Sequence, residues 1–146
     1  MSPAPQNIHP AVARSLDLWH HMVAEKNLDQ LHTIVHPDAV FRSPMSISAY
    51  ATAPALILAL STVIQVFENF TYHRQLASDD GLNLMLEFSA NVGDKQLKGI
   101  DLIRFNDEGR IVDFEVMVRP LSGLQALGAE MGRRLAEAMP AFKVKG

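Results

Sequence analysis

The hydrophobic pattern changes period part-way along the chain. Up to about residue 66 the apolar positions recur every three or four residues, and beyond it they alternate. Val12, Leu16, Trp19 and Val23 share the longer spacing and predict an amphipathic helix over residues 9–26. Leu31, Ile34 and Val35 predict a second, shorter helix over 29–35, ending where Pro37 follows His36. A short strand over 38–43 is closed by Pro44. Leu56, Ile57, Leu60 and Ile64 give the apolar face of a third helix, beginning near Ser48 or Thr52 and running to Val66. Pro54 fits that helix only in its first turn.

From Phe67 the period is two. Residues 67–77 alternate Phe70, Tyr72, Arg74 and Leu76 against Asn69, Thr71, His73 and Gln75. After a turn at 78–81, Leu82, Leu84, Leu86, Phe88 and Ala90 alternate with polar residues and Met85. Gly93-Asp94 suits a two-residue turn, which sets Leu86 beside Asp101 and Leu84 beside Ile103. Residues 97–120 form two alternating runs around Asp107-Glu108-Gly109, a three-residue hairpin loop with a bulge. That loop pairs Phe105 with Ile111, Ile103 with Asp113 and Asp101 with Glu115. A last helix is expected over about 123–139. Helices first, then a meander of antiparallel strands, then a closing helix make an α+β architecture with helices on one sheet face. The other face would carry Met85, Ile100, Leu102, Val112, Phe114 and Val116, ringed by Asn83, Glu87, Lys98 and Arg104. An apolar centre with a polar rim predicts a homodimer through that open face.

Composition narrows the function classes. The 146 residues suit one domain, with residues 1–7 read as a flexible arm. A hydrophobic share of 48% with 20% charged residues is that of a soluble globular chain. The net charge of -3, with no basic block, argues against a nucleic-acid partner. The chain has no cysteine, which excludes a disulfide framework, a thiol nucleophile and a thiolate metal site, and fits a cytoplasmic protein. The N-terminus lacks a signal-peptide pattern, and the most apolar run, 53–66, is too short to cross a bilayer, so no membrane partner is expected.

Asp101 is the sharpest chemical signal, a carboxyl group mid-strand among large apolar neighbours. Burial raises a carboxyl pKa, and a carboxylate poised near neutrality can take a proton from carbon beside a carbonyl or activate water. The alternative is that Asp101 pairs with Arg119, Arg104 or a helix-end amide and only closes the interior. Glu115 shares its face in the predicted register, as does Asp113, and a one-residue slip would turn both away. His36 could reach a cavity mouth as a proton shuttle, or cap the second helix. Trp19 and Tyr50 are candidate walls with a polar end each. Phe41, Ser43, Leu60, Phe67, Leu86, Phe88 and Met117 are core positions that double as ligand-binding walls, since pockets are mostly apolar. The six histidines show no metal-ligand spacing, so no metal site is expected. Ser43 and Ser89 lack a nucleophile elbow, and no glycine-rich phosphate loop occurs.

The element order, together with LHTIVHPDAVFRSP (31–44) and GIDLIRFNDEGRIV (99–112), resembles the SnoaL-like polyketide cyclases of the nuclear transport factor 2-like, or ketosteroid-isomerase-like, superfamily. The resemblance covers roughly residues 9–120. It implies a cone-shaped cavity formed by a curved sheet and three helices, usually within a dimer. Asp101 matches the strand aspartate that serves those cyclases as acid/base. The ketosteroid isomerases proper are less similar: their helix-one tyrosine is replaced by Trp19, and their base position falls among Phe41, Arg42 and Ser43. The resemblance implies a cofactor-independent isomerase, cyclase or lyase step on a hydrophobic carbonyl or ring compound. The alternatives are a non-catalytic carrier or sensor of a small apolar ligand, and a dimerisation or adaptor module.

Overall fold

The computed structural model describes residues 5–136. Its first helix, α1 (Pro10–Glu25), is started by His9, whose ring Nδ1 accepts from the Ala11 amide at 3.1 Å, and by Pro10 in the first turn. It ends at Lys26, whose left-handed backbone (φ 53°) lets its amide reach the carbonyls of Met22 and Val23. Val12, Leu16, Trp19 and Val23 are all buried, as the spacing predicts. Each contributes roughly 1.5–3 kcal/mol by leaving water.

The second predicted helix is a single 3-10 turn (Leu31–Ile34), and strand β1 (Val35–Arg42) follows at once. Pro37 does not end a helix here but sits inside the strand. Pairing is irregular between Val35 and Val40, so the missing proline N–H falls where the ladder is interrupted. A two-residue strand, β2 (Tyr50–Ala51), leads into α2 (Ala53–Val66), which carries Pro54 in its first turn. Four long strands come next: β3 (Glu68–Ala77), β4 (Asn83–Val92), β5 (Lys95–Phe105) and β6 (Ile111–Arg119). Helix α3 starts at Leu121 and is described to Leu135, so the end of the predicted 123–139 helix lies outside the described residues.

The strands form one sheet in the order β2-β1-β6-β5-β4-β3. It is mixed rather than wholly antiparallel, because β1 runs parallel to β6. Irregularities in β1, β3 and β6 bend it around the helices, giving the α+β cone. The arm expected over 1–7 is anchored at its end: the Asn7 amide donates to the Ser78 carbonyl at 2.7 Å, while residues 1–4 lie outside the described residues.

Pairing of β4 with β5 is as predicted, with Leu86 opposite Asp101 and Leu84 opposite Ile103. The β5–β6 hairpin is not. Phe105 pairs with Ile111, but Arg104 pairs with Asp113, so Val112 is an extra residue and everything after it moves by one. Asp101 therefore faces Val116 rather than Glu115. Glu115 lies opposite Leu102 and Met117 opposite Ile100, on the outer face. Phe114, expected outside, is completely buried and packs on Trp19 with ring centroids 5.5 Å apart.

Candidate functional site

A cavity of about 290 Å³ opens between the concave sheet face and the helices. Trp19 and Val23 of α1 form one side; Leu60 and Ile64 of α2 form another. The end of β1 and the loop after it bring Phe41, Ser43 and Met45, and β2 brings Tyr50. Helix α3 closes the far side through Leu127, Gly128 and Met131. A β-carbon at Gly128 would meet the end of the flexible Met45 side chain, which would have to shift to admit it.

The floor is aromatic. Phe70 stacks on Phe88 at 5.0 Å and 22°, and meets Tyr72 edge-on at 4.8 Å. Phe67 lies against both phenylalanines. Phe88 supports this wall from behind without bordering the cavity, and the fully buried Leu86 likewise lies outside its lining.

Asp101 sits mid-β5 and is 6% exposed. Its Oδ2 accepts from the Tyr72 hydroxyl at 2.6 Å, and the Tyr72 oxygen accepts from the Trp19 indole N–H at 2.9 Å. Neither Arg104 nor Arg119 pairs with it, since Arg104 leans on the outer face and Arg119 lies three residue pairs away along the hairpin. Burial pushes the Asp101 carboxyl up to about 7, with the Tyr72 hydrogen bond pulling the other way. Burial and the nearby carboxylate drive the Tyr72 hydroxyl well above its ordinary value, so it remains a donor. Among the described residues the remaining polar side chains on the wall are Ser43 and Tyr50, each with a hydroxyl. Beside this group, His20 donates or accepts through Nε2 to Gln75 at 2.9 Å and packs edge-on against Tyr72 at 5.1 Å. Burial lowers its pKa.

The cavity thus gathers Asp101, Trp19, Phe41, Ser43, Tyr50, Leu60 and Phe67 from the expected site. It does not gather Glu115 or Met117, which the Val112 bulge turns outward. His36 is also apart: it lies in the irregular part of β1, where its Nδ1 accepts from the Asp38 amide at 3.1 Å. Tyr72 is the site residue the sequence reading passed over. A tyrosine on an apolar strand face needs a partner for its hydroxyl, and a mid-strand aspartate two strands away is such a partner. Among the described residues no three histidine, aspartate or glutamate side chains converge to hold a metal. No helix among them is long and apolar enough to cross a membrane.

A SnoaL-like domain profile matches residues 16–114. The chain belongs to the SnoaL-like family. Among solved structures, this SnoaL-like chain is similar to a steroid delta-isomerase from Pseudomonas aeruginosa, with 58% identity over 94% of this chain and 99% of that one and a TM-score of 0.88. It is also similar to an uncharacterised bacterial protein with a cystatin-like fold from Silicibacter pomeroyi DSS-3, with 32% identity over 91% and 90% of the two chains and a TM-score of 0.79. SalBIII, an epoxide hydrolase/cyclase-like enzyme of salinomycin pyran-ring formation, shares 14% identity over 74% and 89% of the chains with a TM-score of 0.61, a likeness of fold alone. No curated protein shows significant similarity to this chain.

Proposed function

We propose that this SnoaL-like domain binds a neutral, hydrophobic carbonyl- or ring-bearing molecule and moves a proton on it, with Asp101 as the acid/base and no cofactor. The observation that carries this reading is the state of Asp101. Among the described residues it is the one carboxyl group lining an apolar cavity, and it is held near pH 7, where it can both take and return a proton. No lysine, arginine or histidine lines that cavity among the described residues, so an anionic ligand would enter without a counter-charge. The volume lies near the lower end of the roughly 300–1,000 Å³ typical of small-molecule sites.

The likeness to a steroid delta-isomerase makes a steroid ketone the first substrate to try. In a β,γ-unsaturated ketone, ionised Asp101 would take a proton from the carbon between carbonyl and alkene. It would then return that proton to the far alkene carbon, leaving the conjugated ketone and a regenerated carboxylate. The new ultraviolet absorbance reports turnover. Asp101→Asn keeps the shape and cannot exchange the proton, so kcat is expected to fall by about 100-fold or more. Turnover retained by that variant rules the assignment out.

A carrier for the same ligands is the second reading, favoured by how few polar groups border the cavity; saturable binding with no conversion of any unsaturated ketone would select it. For the partner, we propose a second copy seated on the outer sheet face. Leu76, Leu102 and Met117 are 54%, 38% and 44% exposed there, beside Met85 and Ile100. The Arg42–Asp113 and Glu87–Lys98 ion pairs flank them. A monomer in sedimentation at micromolar concentration refutes this.

A further inference from the structure

We infer that Trp19 decides, through Tyr72, which oxygen of Asp101 carries the exchangeable proton. This makes Trp19 a positioning residue of the cavity's acid/base group as well as a wall. The three residues come from α1, β3 and β5 and form a chain of hydrogen bonds with one possible direction. An indole nitrogen has a hydrogen to give and no lone pair to accept with, so the 2.9 Å bond runs from Trp19 to the Tyr72 oxygen. The hydroxyl has a single hydrogen of its own. With its oxygen engaged by the indole, that hydrogen is directed along the 2.6 Å bond to Asp101 Oδ2.

Oδ2 is then an acceptor whether the carboxyl group is charged or neutral. The proton that Asp101 gains and loses must sit on Oδ1. That oxygen has no hydrogen-bond partner among the described residues, is not among their buried unsatisfied atoms, and belongs to a residue that borders the cavity. The chain therefore aims the working proton at whatever occupies the cone. It also tunes the group. A hydrogen bond into Oδ2 favours the anion, and the indole makes the hydroxyl a better donor by withdrawing density from its oxygen.

The surroundings leave this chain as the main adjustable influence on Asp101. Its cross-strand neighbours are Leu86 on β4 and Val116 on β6, both uncharged. On α1, His20 meets the Tyr72 ring edge-on, and burial disfavours its charged form while the hydrogen bond with Gln75 and the charge of Asp17 act the other way. The residues of α2 and α3 that line the cavity carry no charge.

This inference rests on Asp101 exchanging a proton with a bound molecule, but its test needs no turnover. Carbon-13 NMR of protein labelled at aspartate carboxyl carbons gives the Asp101 midpoint in the ligand-free domain. Tyr72→Phe is expected to raise that midpoint by about one pH unit or more, as loss of a hydrogen bond to a charged group requires. Trp19→Phe is expected to raise it in the same direction by less, although the two side chains share no hydrogen bond. The double variant should match Tyr72→Phe alone, because Trp19 acts only through the hydroxyl. Placing benzothienylalanine at position 19 keeps the ring shape and removes only the N–H, so it separates the hydrogen bond from packing. A midpoint unmoved by that replacement, or a double variant showing the sum of both shifts, overturns the inference. If the midpoints move as stated and no ketone is turned over, the relay stands and the enzymatic reading falls. If turnover depends on Asp101 while position 19 leaves its midpoint alone, the reverse holds.

Discussion

Replacing Asp101 by asparagine should remove a loss of stability that the parent suffers as pH rises, while destroying its proposed chemistry. The folded chain holds this carboxyl group near 7, against a value of 3.8 for a free one. Because the folded value is the higher one, the folded state binds the proton more tightly than the unfolded state. The stability this contributes is full below about pH 4 and is lost as pH rises through 7. About three pH units at about 1.4 kcal/mol each give a loss of about 4 kcal/mol between pH 4 and 8. An amide has no such transition. Urea unfolding of both proteins at half-unit steps from pH 4 to 9 isolates the effect, because every other titrating group cancels in the difference. Stability of the variant minus that of the parent should climb by several kcal/mol across the window, steepest between pH 4 and 7 and levelling above 7. The constant part of the substitution, including its new bond with Tyr72, does not affect the slope. A flat difference would mean that Asp101 ionises like an exposed aspartate, and would refute the argument from burial.

Other outcomes follow from the same geometry. Met117→Glu puts a charge into the apolar centre of the outer face, and sedimentation velocity should show monomers while the circular dichroism of the fold is unchanged. Glu87, gripped by Arg74 and Lys98, has its carboxyl pulled down to about 2, chiefly by the Arg74 hydrogen bonds. Its contribution is present above about pH 4.5 and lost as pH falls through 2, so the stability gap between parent and Glu87→Gln should close on acidification to pH 2, as followed by ellipticity. Gly109→Ala combines a positive φ of 80° with a β-carbon pressed against the Ala11 carbonyl, and should cost about 2 kcal/mol or more in urea unfolding.

How much of this could be read from the residues depends on how local each determinant is. The β4–β5 register was legible because strict alternation and a glycine turn fix it within a few residues, and Gly93 does adopt the positive φ (60°) such a turn uses. Helix α1 was legible for a similar reason, since Val12, Leu16, Trp19 and Val23 recur every three or four residues and all are buried. The β6 faces were not, because Val112 belongs to an apolar alternation whether or not it is bulged, and the pairing that decides the matter involves a neighbouring strand. Strand β3 carries the same ambiguity: pairing shifts between Tyr72 and Gln75, so Gln75 is buried while Leu76 is exposed. The site was half legible. Asp101 announces itself as a charge in an apolar run, whereas Tyr72 looks like one aromatic among several until β3 is placed two strands away. His36 was misplaced because Pro37 reads as a helix stop, and only the interrupted β1 ladder shows that a strand can hold it.

The extra residue in β6 makes the composition of the cavity wall a matter of counting as well as of chemistry. Losing the bulge while keeping Val112 would set Val112 opposite Arg104, slip the rest of β6 by one, bring Glu115 round to face Asp101 and send Val116 outside. Such a slip, with no residue exchanged, would convert a wall bearing one carboxyl group into one bearing two. Two carboxyl groups that close would share a proton and split their midpoints. The same sequence therefore holds an alternative layout of its cavity wall one register slip away, reachable without a substitution at the site itself.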